Sequence, residues 1–155
     1  MWLTTLSLAF ADDAPMEARW NVGPLLTEGV AIDPDDPDAL RMDLGAGGHV
    51  TYAFDPRLTA HMAASGRLDV MSTTPGLAVT ASLNYRPGGT WVRGVIGAGG
   101  HADTRGNFSP AFRFGTITAL GRSGWTIETT YQTGGYLVGG TPISEVAIQL
   151  GRNLE

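Results

Sequence analysis

The sequence predicts an all-β chain, an eight-stranded antiparallel up-and-down transmembrane β-barrel. Three observations carry that expectation. Apolar and polar residues alternate with a period of two, again and again along the chain. Tight turns alternate with looser connections. The polar side of the strands combines small residues with isolated, nearly balanced charges, unlike a sheet face that meets water.

The strands follow in order. Ala18–Ala31 reads as a first, weaker strand. From Leu40 to Phe54 the alternation is cleanest: Leu40, Met42, Leu44, Ala46, Gly48, Val50, Tyr52 and Phe54 oppose Arg41, Asp43, Gly45, Gly47, His49, Thr51 and Ala53. Leu58–Met71 sets Leu58, Ala60, Met62, Ala64, Leu68 and Val70 against Thr59, His61, Ser65, Arg67 and Asp69. Leu77–Tyr85 follows the same rule, as do Trp125–Thr133 and a last stretch around Val146, Ile148 and Leu150. Thr90–Ala98 and Ala111–Leu120 complete the eight, with their facing left open. Helical spacing fits none of these segments.

Asp55-Pro56-Arg57, Arg86-Pro87-Gly88-Gly89 and Gly121-Arg122-Ser123-Gly124 have tight-turn chemistry, proline fixing φ and glycine admitting positive φ. The looser connections are 33–39, 72–76, 100–110 and 134–142. Such barrels have short turns on the periplasmic side and longer loops outside. Tyr52, Phe54, Tyr85, Trp91 and Trp125 flank the tight turns, so they form an aromatic girdle at one rim. Tyr136 and Trp20 are candidates for the opposite rim.

Periodicity alone does not say which face points outward, because the apolar face of a soluble barrel lines its interior. The polar face decides. Arg19, Arg41, Arg67, Arg93 and Arg113 fall on it with Asp43, Asp69, Glu128 and Glu145, with His49 and His61 nearby and Gly45, Gly47, Ala63 and Ala78 making room. An eight-stranded barrel has an interior just wide enough to be filled by side chains. Buried charges must be paired. The expected lumen charge network is Arg41, Asp43, His49, His61, Arg67, Asp69, Arg93, Arg113, Glu128 and Glu145. Glu28 is an exception on the apolar side, placed near the outer rim.

Composition narrows the function classes. The net charge of −5 argues against a nucleic-acid binder. The absence of cysteine excludes a disulfide scaffold and a cysteine zinc site. No apolar run reaches the roughly 18 residues of a spanning helix, so a membrane protein of this sequence crosses with strands. Residues 1–11 end in Ala9-Phe10-Ala11 before Asp12-Asp13 and read as the remnant of a secretory signal, with an ordinary first strand as the alternative. Residues 12–155 then form a single barrel domain.

The segment Gly47-Gly48-His49-Val50-Thr51-Tyr52-Ala53-Phe54-Asp55-Pro56-Arg57-Leu58 resembles the periplasmic hairpins of the outer membrane protein A-like and opacity-like small barrels. The hairpin Phe112–Tyr131, turning at Gly-Arg-Ser-Gly before Trp125, is similar. The resemblance is one of pattern over residues 18–154. It implies a location in the Gram-negative outer membrane, with the lipid bilayer as partner, a monomer, and surface contacts through 33–39, 72–76, 100–110 and 134–142. The chain departs from that family in its ending, Leu150-Gly-Arg-Asn-Leu154-Glu155, where members carry a terminal aromatic residue.

No Gly-x-Ser-x-Gly elbow, phosphate loop or paired-histidine zinc motif is present. Lipid A deacylases of this architecture use a histidine and a serine two residues apart on one strand. His49-Val-Thr51, His61-Met-Ala63 and His101-Ala-Asp103 do not match that pattern. The expectation is a non-enzymatic barrel with a filled polar lumen and a structural or surface-interaction role, without cofactor or metal. The alternatives are a narrow ion or small-solute channel, a soluble lipocalin-like barrel around an apolar ligand, and a lipid-modifying enzyme. Asp33–Asp38 is read as a solvated turn rather than a weak divalent-cation site.

Overall fold

Alternating strands joined by tight turns leave each strand two neighbours to find, and closure satisfies both without an edge. In the computed structural model, which describes residues 20–33, 36–88, 92–106, 108–120, 124–134 and 143–152, the strands do close into a barrel. They are β1 (Trp20–Asp33), β2 (Asp36–Ala53), β3 (Leu58–Asp69), β4 (Thr74–Tyr85), β5 (Val92–Asp103), β6 (Phe108–Ala119), β7 (Trp125–Gly134) and β8 (Ile143–Arg152). Each pairs antiparallel with the next, and β1 pairs with β8 from Leu25↔Gly151 to Ile32↔Ser144. All eight have at least the 10 residues of β7 and β8, enough for a tilted strand to cross a bilayer. Residues 1–11, Trp91 and 134–142 beyond Gly134 lie outside the described residues, as do Arg19 and Tyr136.

The two faces settle the orientation. Leu26, Met62, Leu77, Leu83, Ile96 and Ile148 are exposed, while Asp43, His61, Arg67, Arg113, Glu128 and Glu145 are buried. That inversion overturns the soluble lipocalin-like alternative, in which the apolar face would line the interior. An exterior this apolar is unfavourable in water and matched to acyl chains.

Three outer connections are shorter than the sequence suggested. β2 begins at Asp36, β4 at Thr74, and β5 and β6 run to Asp103 and from Phe108. Proline and aspartate there suggested loops, yet the ladders continue through them. Pro24, Pro75 and Pro110 each lie just outside a ladder with one neighbour: β1–β8 starts at Leu25, β4–β5 at Gly76 and β6–β7 at Phe112. A missing N–H breaks no sheet bond at such a place.

Aspartates tie the turns at both ends. Asp55 Oδ1 accepts from the amides of Arg57 (2.6 Å) and Leu58 (2.9 Å). Asp103 Oδ1 accepts from Arg105 N at 2.9 Å, ahead of Gly106 with φ 86°. Asp69 Oδ1 accepts from Met71 N at 2.9 Å and its Oδ2 from Ser72 Oγ at 2.5 Å.

The girdle residues Tyr52, Phe54, Tyr85 and Trp125 gather at the short-turn rim. Trp20 joins them instead of the opposite rim, because β1 starts there: it pairs with Tyr52, ring centroids 4.5 Å apart, and Tyr52 meets Phe54 edge-on at 5.1 Å. Arg152 lies 5.6 Å over the Trp125 ring. Toward the outer end, Phe108, Phe112 and Phe114 are exposed on β6, whose facing the alternation had left open, beside Tyr131 on the apolar face of β7.

Candidate functional site: the charged lumen

Period-two alternation sends every second side chain of all eight strands into one narrow space. The charges there sort into two levels. In the outer half, β3 supplies Arg67, β8 Glu145 and β2 Asp43. Arg67 donates to both oxygens of Glu145, Nη2 to Oε1 at 2.5 Å and Nη1 to Oε2 at 3.3 Å, and Nη1 stands 3.7 Å from Asp43 Oδ2. A guanidinium fork matches a carboxylate in this way, and the two-point contact fixes orientation as well as charge. Gly29 makes the pair possible: a Cβ there would come within 2.8 Å of Arg67 Nη2 and overlap the Glu145 carboxylate.

In the short-turn half, Arg113 on β6 donates to Glu128 on β7, and its Nη2 lies 3.5 Å from Gln149 Oε1 on β8. Among the described residues Arg113 and Glu128 are the most buried charged groups, 1% and 2% exposed. His61 on β3 places Nδ1 3.8 Å from Glu128 Oε2, and its ring centroid is 5.3 Å from that of His49 on β2. Nearer the turns, Arg93 on β5 donates to Thr59 Oγ1 at 3.2 Å.

The expected network residues therefore divide. Asp43, Arg67 and Glu145 come together, and so do His49, His61, Arg113 and Glu128. Arg93 is inward but apart from both groups. Arg41 and Asp69 leave the interior: Arg41 is exposed at the outer rim, and Asp69 directs its oxygens to the turn after β3 because the strand ends there. Reasoning from sequence placed Ser65, Thr80, Ser82, Asn84, Thr130, Gln132 and Gln149 on the polar face but left them out of the network; the structure buries them in the lumen, with Thr27, which the sequence reading had not named. Their signal was their place at the same alternate positions as the charges. His101, read as part of a polar loop, sits on the longer β5 and shares a lumen cleft with Arg67 and Glu145.

Space is as unequal as charge. Around Arg67 and Glu145 the free volume is about 20 Å³, room for about one water. Between His61, Glu128 and the short turns lies a cavity of about 300 Å³, lined by His49, Thr59, Asn84, Arg93 and Thr126 among others. Among the described residues no group of three or more histidine and carboxylate side chains is arranged to hold a metal ion.

No family model matches the sequence, and no curated protein is similar to it. Solved structures are similar in fold. Neisserial surface protein A superposes with a TM-score of 0.55 at 11% identity, over 88% of this chain and 98% of that one. Ail, the attachment invasion locus protein of Yersinia pestis, gives 0.52 at 13% identity, over 87% and 97%. A de novo designed transmembrane β-barrel gives 0.52 at 16%, over 85% and 95%. The fold of this chain is that of the small eight-stranded outer-membrane barrels.

Proposed function

We propose that this chain resides in the bacterial outer membrane as a non-enzymatic, monomeric barrel whose filled lumen makes it a rigid scaffold for contacts at the cell surface. The observation that carries this reading is the pairing of charge across the lumen: the β3 arginine with the β8 and β2 carboxylates, and the β6 arginine with the β7 carboxylate. Arg67 with Glu145 ties β3 to β8, three strands away around the closed barrel, while the Asp43 and Glu128 contacts join neighbouring strands; together they serve rigidity and obstruct passage. The carboxylates nearest the lumen histidines are engaged by arginines, which argues for structure over acid–base chemistry. The exterior band and two aromatic groups support the bilayer setting.

Surface contact would run through 33–39, 72–76, 100–110 and 134–142, now trimmed where strands extend through them. Ail has been solved in complex with the heparin analogue sucrose octasulfate, which supports a ligand-binding role for this chain. The test has two arms. In planar bilayers the refolded chain should give no resolved conductance steps; regular steps would favour the channel alternative. On intact cells, replacing 70–73 and 104–106 with glycine–serine linkers should abolish adhesion conferred by the chain while the barrel still folds. Unchanged adhesion would remove the surface role from these turns.

A further inference from the structure

The lumen is polarised along its axis. Its outer half holds two carboxylates, Asp43 and Glu145, around the single guanidinium of Arg67. Its short-turn half holds Arg113 matched by Glu128, and beyond them Arg93. Among the described residues Arg93 forms no ion pair; its polar contact is the neutral hydroxyl of Thr59, and the charged group that bears on it is a second guanidinium, Arg86. Arg93 is half-buried and borders the cavity of about 300 Å³.

The rest of that cavity is chemically one-sided. Of its two carboxylates, Glu128 is engaged by Arg113, and Asp55 has an oxygen committed to two turn amides. Asn84, 2% exposed, accepts from Ser82 Oγ at 3.1 Å through Oδ1, which leaves its amide nitrogen as the donor. His61, 5% exposed, has an Nδ1 without a hydrogen-bond partner in the cavity wall. Thr51, Thr59 and Thr126 add hydroxyls. A cation entering here would meet Arg93, with Glu128 engaged by Arg113 and Asp55 held at the turn through one oxygen. An anion would find an uncompensated guanidinium and a ring of donors, and charge-assisted bonds to guanidinium are the strong ones.

From this geometry we infer that the short-turn end of the lumen is a binding vestibule for a small oxyanion, a phosphate or a carboxylate, anchored by the Arg93 guanidinium beside Asn84, Thr59 and His61. The volume admits such an ion with several waters, each taking about 30 Å³. The vestibule opens toward the tight turns, the periplasmic side in barrels of this kind, so the ligand is a periplasmic solute.

The experiment titrates inorganic phosphate, and separately acetate, at fixed ionic strength into ¹⁵N-arginine-labelled barrel folded in detergent. The arginine Nε–H resonances are the readout. One resonance, assigned to Arg93, should move and saturate, and the arm with the lower midpoint identifies the preferred oxyanion. Arg93→Gln should weaken binding by about tenfold or more, the loss of one charge-assisted contact. Arg105→Gln, in an exposed outer turn, should leave the midpoint unchanged. Should Arg93→Gln fail to fold, Arg93→Lys keeps the charge without the fork and should raise the midpoint severalfold. Non-saturating shifts, equal shifts at all exposed arginines, or an unchanged midpoint in either Arg93 variant would overturn the assignment.

Discussion

The two halves of the lumen use the same side-chain types to opposite ends. Around Arg67 the charges are packed against one another with room for about one water, and the missing side chain of Gly29 admits them. Around Arg93 the same guanidinium chemistry borders a cavity with space for a solute. A buried charge whose partner is a side chain must be held by geometry. A buried charge beside an open cavity is held by whatever the solvent brings. Stability is therefore expected to reside in the packed ion pairs, Arg67–Glu145 and Arg113–Glu128, and the cavity beside Arg93 is where the molecule remains accessible.

The sharpest way to break that contrast is to remove one partner in each half. Glu145→Leu leaves Arg67 with Asp43 alone at 3.7 Å and should lower the unfolding free energy in lipid vesicles by about 3–5 kcal/mol. Arg93→Gln, measured by the same denaturant titration, should change it by less than about 0.5 kcal/mol. Equal losses would erase the distinction between the halves. At the next level of effect, Arg113→Leu and Glu128→Leu should each cost about 3 kcal/mol, and the double variant less than either, since an apolar pair replaces an ion pair more cheaply than a lone charge survives. Additive losses in that cycle would mean that the two groups do not act on each other.

Smaller effects come from fit. Gly29→Ala should cost about 1–3 kcal/mol by displacing the Arg67–Glu145 pair, whereas Gly88→Ala, which meets only the end of Arg57 at 3.6 Å, should be neutral in the same assay. The smallest expected change lies outside. Glu28 is exposed among outward-facing residues, opposite Leu44 on β2 and Ile148 on β8. Glu28→Leu should raise the unfolding free energy by about 1 kcal/mol in bilayers. A loss would show that the carboxylate has a partner in the native membrane.

Much of this was legible in the chain. Tyr52, Phe54 and Asp55-Pro56-Arg57 announced a rim and a turn, because aromatic anchoring and turn chemistry are local properties. The inward set from Asp43 to Glu145 was legible because facing follows from counting by two. The boundaries of β5 and β6 were not. Pro110 signals a break by itself, and only the length of the neighbouring ladder shows that its missing N–H costs no bond. Nor could alternation distinguish Asp69, one residue short of a turn, from Asp43, well inside a strand. Which arginine finds a carboxylate depends on shear around the closed barrel, a property of all eight strands at once, and so Arg93 looked like Arg67 until the strands were laid side by side.

The central claim is that the polar face points in and the apolar face meets lipid. It is tested most directly by refolding the chain in detergent and running boiled and unboiled samples side by side on a gel, with circular dichroism in detergent and in plain buffer. A mobility shift on boiling, with β-rich spectra in detergent or lipid alone, is the predicted result. A monodisperse folded protein in plain buffer, with no shift, would contradict the account.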